Sequence, residues 1–390
     1  MRHATSQKAS RGTMKAPMSA SLPDLFQPLQ LRQLCLANRL VVSPMCQYSC
    51  NAADGLATDW HLVHLGSRAV GGAGLIFTEA AAVTPEGRIS PQDLGFWSDE
   101  HAEALDRARR FCQEQGAAIG VQLAHAGRKA STHRPWEAGA GISVEVGGWT
   151  PIGPSPKPHA DGYCVPREVR TDEIQPLVVQ PFGAAAERAH AFGYDVLEIH
   201  AAHGYLLHEF LSPIANHRQD AYGGSFDNRT RLLLEVVAAV RQVWPERKPL
   251  FVRISATDWV PDGWDIDASV ALAHKLKEEG VDVIDCSSGG VSAAQQIVAA
   301  PGYQVPFAER IRREARVATA AVGLITTAEQ AQDILARGQA DLIVMARQFL
   351  REPYFPIGAA QCLDVPEAAR WPVQYERARP RGPAHPGQRA

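Results

Sequence analysis

The sequence predicts an α/β fold: a TIM-type (β/α)8 barrel with an insertion that caps its mouth. Eight short apolar runs alternate with amphipathic stretches along the chain, which is the pattern of repeated β/α units around a parallel sheet. The candidate strands are residues 39–45, 74–80, 118–125, 196–202, 250–256, 281–288, 317–323 and 341–347. Eight strands with helices between them indicate a closed barrel.

The helices are predicted from runs that end at a glycine. EHAEALDRARRFCQEQG, FGAAAERAHAFG and TTAEQAQDILARG end at Gly116, Gly193 and Gly338. Glycine is favoured just after a helix because it adopts the left-handed conformation without strain.

The segment between the third and fourth strands, residues 126–195, is too long for one crossover. Its middle, HRPWEAGAGISVEVGGWTPIGPSPKP, is rich in Gly, Pro and Trp. We interpret it as the capping insertion. Because no interdomain linker or internal repeat is visible, we expect a single domain over residues 22–377.

Composition narrows the class of protein and of partner. The 390 residues are 45% hydrophobic with a formal net charge of −3, which favours a small-molecule partner over nucleic acid or a membrane. The 7 cysteines are irregularly spaced without a CxxC pair, so neither a disulfide framework nor a structural zinc site is expected. No run is apolar enough for a membrane span. These features predict a cytoplasmic protein.

Both ends of the chain are expected to lie outside the domain. Residues 1–21 are basic and contain Ser and Thr, which indicates a disordered segment, with a transit peptide as the alternative. Residues 378–390 are rich in Pro, Gly and Arg and predict a flexible tail.

Polar and small residues collect at the strand ends. In a TIM barrel the catalytic groups stand at the C-terminal ends of the strands and in the loops that follow. Those positions hold Ser43, Pro44, Met45, Cys46 and Tyr48 after the first strand, Ala80, Gln122, the group His200, His203 and Tyr205, then Arg253, Ser287, Gly323, Ala346 and Arg347.

The run HAAHGYLLHEF contains the most informative group. A single histidine in an apolar strand is usually structural, but His200, His203 and Tyr205 together can place two donors on one carbonyl oxygen with a phenol as proton source. Zinc is the competing use of His-x-x-His. It needs a further protein ligand, for which Glu209 is the local candidate, and no metal is expected.

Four other strands carry further signals. Cys46 is either a small buried hydrophobe or, given its place at a strand end, a functional thiol. Arg253 lies in the apolar strand LFVRIS and must face an anion or an electron-rich ring, because an unpaired buried guanidinium is costly. Gly323 and Ala346-Arg347 lie where barrels commonly bind phosphate.

These residues occur in motifs that resemble the old yellow enzyme family, in particular its bacterial thermophilic-like (class III) branch. The matching runs are SPMCQYS, DWHLVHLGSRAVGGAGLIFTEAAAV, VQLAHAGRKA, HAAHGYLLHEFLSPIANHRQDAYGGSFDNRTR, VRIS, DVIDCSSGG, VGLI and PVQYER. They cover about residues 22–377, with motifs in every β/α unit.

The resemblance implies FMN at the barrel mouth, reduced by NADPH or NADH. Arg253 would stabilise the reduced flavin at its N1–C2=O edge. The other residues implied to contact FMN are Ser43, Pro44, Met45 and Cys46 along the ring, Ala80 and Gln122 at the pyrimidine, and Ser287, Gly323, Ala346 and Arg347 at the ribityl chain and phosphate.

The resemblance also implies the reaction, reduction of an activated alkene by a ping-pong cycle. His200 and His203 would bind the carbonyl oxygen of an enone or enal while the flavin delivers hydride, and Tyr205 would protonate the opposite face, giving trans addition. Cys46 would modulate the flavin, and Tyr48 would contact the substrate. Arg377 would reach the active site of a neighbouring subunit in a homodimer or homotetramer.

Two departures from the family and two alternatives stay open. Ala346 replaces a frequent glycine, which is harmless if its φ is negative, and the chain continues beyond Arg377. A dienoyl-CoA-reducing relative would carry an iron–sulfur cysteine cluster and a second nucleotide-binding domain, neither of which is present. A flavin-binding protein without turnover is the other alternative, and His200, His203 and Tyr205 argue against it.

Overall fold

A computed structural model of the chain describes residues 22–380. The predictions for residues 1–21 and for the tail from 381 onward lie outside the described residues. The strands are β1 (Leu29–Leu31), β2 (Leu34–Leu36), β3 (Leu40–Val42), β4 (Leu75–Ala82), β5 (Ala118–Ala124), β6 (Ile152–Gly153), β7 (Arg167–Glu168), β8 (Val196–Ala201), β9 (Leu250–Ser255), β10 (Val283–Ser287), β11 (Ala318–Ala321) and β12 (Leu342–Met345).

Eight of these strands close into a parallel barrel in the order β3-β4-β5-β8-β9-β10-β11-β12. Each lies within one of the eight predicted runs or overlaps it, so the predicted barrel is confirmed. Their side chains are buried on both faces, as expected for a parallel sheet covered by helices.

Helices surround the barrel: α1 (Asp59–Val70), α2 (Asp99–Glu114), α3 (Gln180–Ala191), α4 (Leu206–Leu211), α5 (Phe226–Val243), α6 (Ile266–Glu278), α7 (Val305–Ala315), α8 (Ala328–Ala336), α9 (Arg347–Arg351) and α10 (Phe355–Cys362). Gly116, Gly193 and Gly338 follow α2, α3 and α8 with φ of 78°, 83° and 67°. The predicted glycine stops are therefore left-handed.

An antiparallel hairpin of β1 and β2 contributes to the barrel interior, a feature that the sequence pattern does not predict. Its Leu31 and Leu36 belong to the same buried cluster as Phe77 and Phe251, whose rings pack edge to face at 5.6 Å. Three-residue strands are too short to give a periodic signal, which is why only packing reveals them.

The long segment between β5 and β8 forms the predicted cap. It contains the small parallel pair β6–β7 and reaches the loops that follow β3 and β4. The Trp136 ring contacts the Tyr48 ring edge to face at 5.7 Å, and Trp149 Nε1 donates to the carbonyl of Glu86 at 2.9 Å. The insertion thus covers one side of the barrel mouth.

Within residues 22–380, every helix is too short or too polar to cross a lipid bilayer.

Candidate active site

His200, His203 and Tyr205 come together where β8 ends. The ring centroids of His200 and His203 are 5.1 Å apart, and those of His200 and Tyr205 are also 5.1 Å apart. The left-handed backbone of His203 (φ 59°) and Gly204 (φ 73°) turns the chain sharply at this point. This predicted cluster therefore forms in the folded chain.

The cluster is electrically neutral. Burial, and then the nearby charge of Arg253, lowers the pKa of both His200 and His203 well below the ordinary value. Nδ1 of His200 accepts the N–H of Ala202 at 3.3 Å, so in the neutral ring Nε2 carries the hydrogen. Burial raises the pKa of Tyr205 well above its usual range, which keeps the phenol protonated.

Lys129 holds this turn, although nothing in the run VQLAHAGRKA distinguishes it from the residues around it. Its Nζ donates to the carbonyls of His203 at 2.9 Å and Gly290 at 3.2 Å. The same ammonium lies 4.9 Å from the ring centroid of Tyr205. Burial lowers the pKa of Lys129 to about 8.

A buried His208–Asp258 pair fixes the turn from the other side. Gly204 N–H donates to Nδ1 of His208 at 2.8 Å, and Nε2 of His208 lies 2.9 Å from Asp258. Both side chains are fully buried, and Ser212 Oγ donates to the second oxygen of Asp258 at 2.6 Å. An imidazole that accepts at Nδ1 and donates at Nε2 is neutral and fixed in one tautomer.

The loop after β3 has a similar anchor. Glu79 accepts the backbone N–H of Gln47 at 3.0 Å and lies 3.1 Å from Nε2 of His61. This places Cys46 and Tyr48, which has φ of 52°, beside the cap. Burial, then Asp93 and Glu79, raises the pKa of Cys46, so its thiol stays protonated. Pro44 and Met45 are half-buried in the same segment.

Arg253 lies in a buried polar network inside the barrel. Its Nη1 donates to Ser43 Oγ at 2.8 Å, while its Nε, 3.4 Å from Asp285, has no hydrogen-bond partner in the described chain. Gln122 donates to Glu198 at 2.7 Å. Burial raises the pKa of both Asp285 and Glu198. Sequence analysis missed these two acids, since each looks like one polar residue in an apolar strand.

Gln122 on β5 is the register partner of Ala80 on the neighbouring strand β4. Ala80 is 8% exposed and Gln122 is 1% exposed. Their strands come next after β3, which ends just before Ser43, in the order of the barrel.

A cavity of about 120 Å³ lies at the ends of β11 and β12. Gly323, with φ of 127°, Ala346, Arg347 and Arg351 line it. Ala346 has φ of −103°, so the replacement of glycine there carries no left-handed strain. Backbone N–H groups and arginine side chains together suit a phosphate.

Comparison with known proteins identifies the family. The sequence profile of the NADH:flavin oxidoreductase / NADH oxidase family matches residues 24–364. The chain belongs to this family, that of the old yellow enzymes. A protein named NADPH dehydrogenase from Geobacillus sp. (strain WCH70) is 50% identical over 353 residues, 90% of this chain and 98% of the relative.

Two solved structures share the fold of this old yellow enzyme family member. Morphinone reductase superposes with a TM-score of 0.74 at 28% identity, covering 88% of this chain and 91% of its own. The old yellow enzyme homologue from Zymomonas mobilis gives 0.72 at 26% identity, covering 92% and 99%.

FMN is the cofactor of this family, with a reduced nicotinamide as its electron donor, and the observed residues fit FMN. The unpaired Nε of Arg253 provides a buried cation, and the cavity beside Gly323 and Arg347 suits the phosphate. Ser287 is 5% exposed, and its Oγ lies 2.7 Å from Nε2 of His203. It therefore lies against the cluster of His200, His203 and Tyr205.

Arg377 is separate from the other predicted residues within one chain. It is exposed in the 3₁₀ segment Val373–Ala378. Val373 and Gln374 of this segment line a cavity with Val70 of α1 and Glu114 of α2, on the outside of the barrel.

Within residues 22–380, no group of three or more His, Cys, Asp or Glu side chains is placed to hold a metal ion. Glu209, the candidate third ligand, instead accepts the backbone N–H of Arg128 at 2.8 Å. It therefore anchors the loop after β5.

Proposed function

We propose that this enzyme reduces the activated C=C bond of α,β-unsaturated carbonyl compounds, with NADPH or NADH as the reductant. The observation that carries the proposal is the pair of neutral imidazoles beside a neutral, buried phenol. Such a group suits an uncharged carbonyl oxygen next to a carbon that must receive a proton.

FMN, when bound, would supply hydride transfer between the nicotinamide and the alkene in two separate half-reactions. Ser43, Pro44, Met45, Cys46, Ala80, Gln122, Arg253, Ser287, Gly323, Ala346 and Arg347 are the residues we assign to holding it. The positive charge of Arg253 favours the negative charge of the reduced ring.

His200 and His203 orient the substrate. In the neutral state, each imidazole has one N–H to give, and two such donors on one carbonyl oxygen draw electron density from the conjugated C=C bond. Burial and then the charge of Arg253 lower the pKa values of both histidines. The rings are therefore already neutral when they bind the carbonyl oxygen, and no proton has to leave them first.

Tyr205 supplies the proton to the α-carbon from the face opposite to hydride delivery, which gives trans addition. Its raised pKa means that the proton stays on the phenol until the substrate carbon becomes basic. We assign Tyr48 to contact with the substrate; its ring packs edge to face against Trp136 of the cap, and Cys46 precedes it by two residues.

We further propose a homodimer or homotetramer in which Arg377 enters a neighbouring active site. Trp60 and Val63 on α1 are 53% and 62% exposed, and a groove of about 590 Å³ between α1 and α2 lies beside them. Large exposed apolar side chains next to a groove favour association with another subunit. All seven cysteines are free thiols, which supports the cytoplasm as the site of action.

An anaerobic titration tests the function. The purified protein should be yellow, bleach when NADPH is added and regain its colour when cyclohexenone follows. A flavin-free protein that cannot be reconstituted would contradict the proposal. A flavin that NADPH reduces but that no alkene reoxidises faster than oxygen would favour a binding protein without turnover.

A further inference from the structure

A small cavity lies next to Tyr205, on the side of the loop that follows β4. Its volume is about 10 Å³, room for one water molecule. The wall is formed by alanine, glycine and isoleucine residues apart from two groups that carry exchangeable protons, Tyr205 and Asp93. The cavity therefore lies between Tyr205 and Asp93, the two lining residues whose side chains can exchange a proton.

Asp93 is held with its carboxyl group fixed. It is 2% exposed, and its two oxygens accept the N–H of Ile89 at 2.9 Å and the hydroxyl of Ser90 at 2.8 Å. A carboxyl group offers about four lone-pair sites, so these two bonds leave room for a water. In the described chain no cation lies within ion-pair distance of Asp93.

Besides Tyr205 after β8, the charged and titratable groups around Asp93 come from three segments. Glu79 lies on β4 and Arg88 on the loop after it, and Cys46, Tyr48 and Cys50 lie on the loop after β3. Burial, and then the negative charge of Glu79, raises the pKa of Asp93 to about 7. Asp93 therefore holds a proton in much of the population at neutral pH.

We propose that Asp93 resupplies Tyr205 with a proton through a single water in this cavity. The inference rests on the proposed role of Tyr205. As the phenol O–H bond breaks and its proton bonds to the substrate carbon, a water proton moves to the phenolic oxygen, and the Asp93 proton moves to the water. Asp93 is left as a carboxylate that regains a proton from solvent. No oxidant or reductant takes part in the relay.

The physical reason is the cost of a buried phenolate. Burial disfavours the charged form of Tyr205, and the neighbouring Cys46 and Tyr48, then Asp93, disfavour it further. A proton that arrives as the first one leaves avoids that charge. If Asp93 were only structural, it would close the turn between Ile89 and Asp93 and have no part in proton transfer. Only the relay makes the rate of the alkene half-reaction depend on the proton of Asp93.

Stopped-flow measurements on the FMN-loaded, prereduced enzyme test the relay. Reoxidation by cyclohexenone is followed from pH 6 to pH 9. In the wild type the rate should fall above about pH 7 as Asp93 loses its proton. Asp93→Asn keeps an acceptor for Ile89 but has no acidic proton, so reoxidation at pH 6 should be about tenfold slower and lose this pH dependence. Reduction by NADPH should be unchanged.

Two further variants separate the relay from a folding defect. Ala124→Val narrows the cavity and leaves Asp93 intact, and it should also slow reoxidation but not reduction. Ser90→Ala is the matched control: it removes a hydrogen bond that stabilises the carboxylate, so the pH dependence should remain and its midpoint should move to higher pH.

The relay is wrong if Asp93→Asn keeps the wild-type rate and pH profile, or if it slows both half-reactions equally. If Asp93→Asn does not fold, an unchanged reoxidation rate in Ala124→Val overturns the relay. If no alkene reoxidises the wild-type enzyme, the proposed function itself fails, and the relay falls with it.

Discussion

Arg253 on β9 donates from Nη1 to Oγ of Ser43 at 2.8 Å, a hydrogen bond that links the strand to the residue after β3 across the barrel. The two strands are not neighbours in the sheet. Nε of the same side chain faces Asp285 at 3.4 Å, so one guanidinium contacts both an acid of the barrel interior and a residue of the proposed FMN site.

Replacing Arg253 with Met should remove FMN and weaken the fold. Asp285 would lose its buried cation, which costs about 3 kcal/mol when one partner of a buried pair is removed. Urea unfolding and the flavin content of the purified protein measure the two effects. Arg253→Lys keeps a charge and should lose less stability. Full flavin content in the Met variant would contradict the assignment.

Arg347→Ala should weaken binding of FMN but not of riboflavin. The side chain lines the cavity assigned to phosphate, and hydrogen bonds to charged groups contribute about 2 kcal/mol, or roughly thirtyfold in affinity. Titration of the flavin-free protein with both flavins gives the comparison. Arg337→Ala, at the exposed end of α8, is the control and should bind both as the wild type does. Equal weakening of both flavins would place the phosphate elsewhere.

Tyr205→Phe should slow alkene reduction about a hundredfold or more while NADPH reduces the flavin at the normal rate. The phenol is the proposed proton source for the alkene step only. Stopped-flow measurement of each half-reaction separates the two. Tyr222→Phe removes a phenol that donates to Glu235 and should change neither rate. Normal alkene reduction in Tyr205→Phe would require another acid.

His125 should make the protein less stable as the pH falls. Burial lowers its pKa to about 4, whereas an unfolded histidine has a pKa of about 6.5. Above pH 6.5 neither state binds the proton. Below it the unfolded chain does and the folded chain does not, so stability falls by about 2 kcal/mol by pH 5.

His125→Asn removes that titration and keeps an acceptor for the N–H of Gly127, which Nδ1 of His125 accepts at 3.1 Å. Urea unfolding at pH 7.5 and pH 5 should therefore show a smaller loss in the variant. Equal losses in the two proteins would mean that His125 is protonated in the folded chain.

Arg377→Ala should impair substrate binding without changing flavin content, because this exposed residue is proposed to enter the active site of a neighbouring subunit and is not assigned to FMN. Arg379→Ala, which changes a neighbouring arginine that lies 4.0 Å from Glu376, is the matched control. Steady-state KM values and the mass in solution test the assignment. A monomer with unaltered kinetics in Arg377→Ala would exclude the shared site.

Residues next to one another along the chain could be assigned from sequence. His200, His203 and Tyr205 share one motif, and their grouping needed only a strand that ends there. The short hairpin β1–β2 and the buried acids Glu198 and Asp285 were missed. The hairpin strands have three residues each, and each acid is a single polar residue in an apolar strand, so neither gives a periodic signal. Only the packing shows what surrounds them.

The sequence by itself determined the barrel, the strand ends that carry its polar residues and the family motifs, because strand alternation and helix stops are local properties of the chain. Only the tertiary structure decided what holds those residues. His208 meets Asp258 50 positions away, Lys129 reaches His203 74 positions away, and Asp93 shares a cavity with Tyr205. Contacts between segments so distant along the chain are set by the packing of loops at the barrel mouth, which no local pattern encodes.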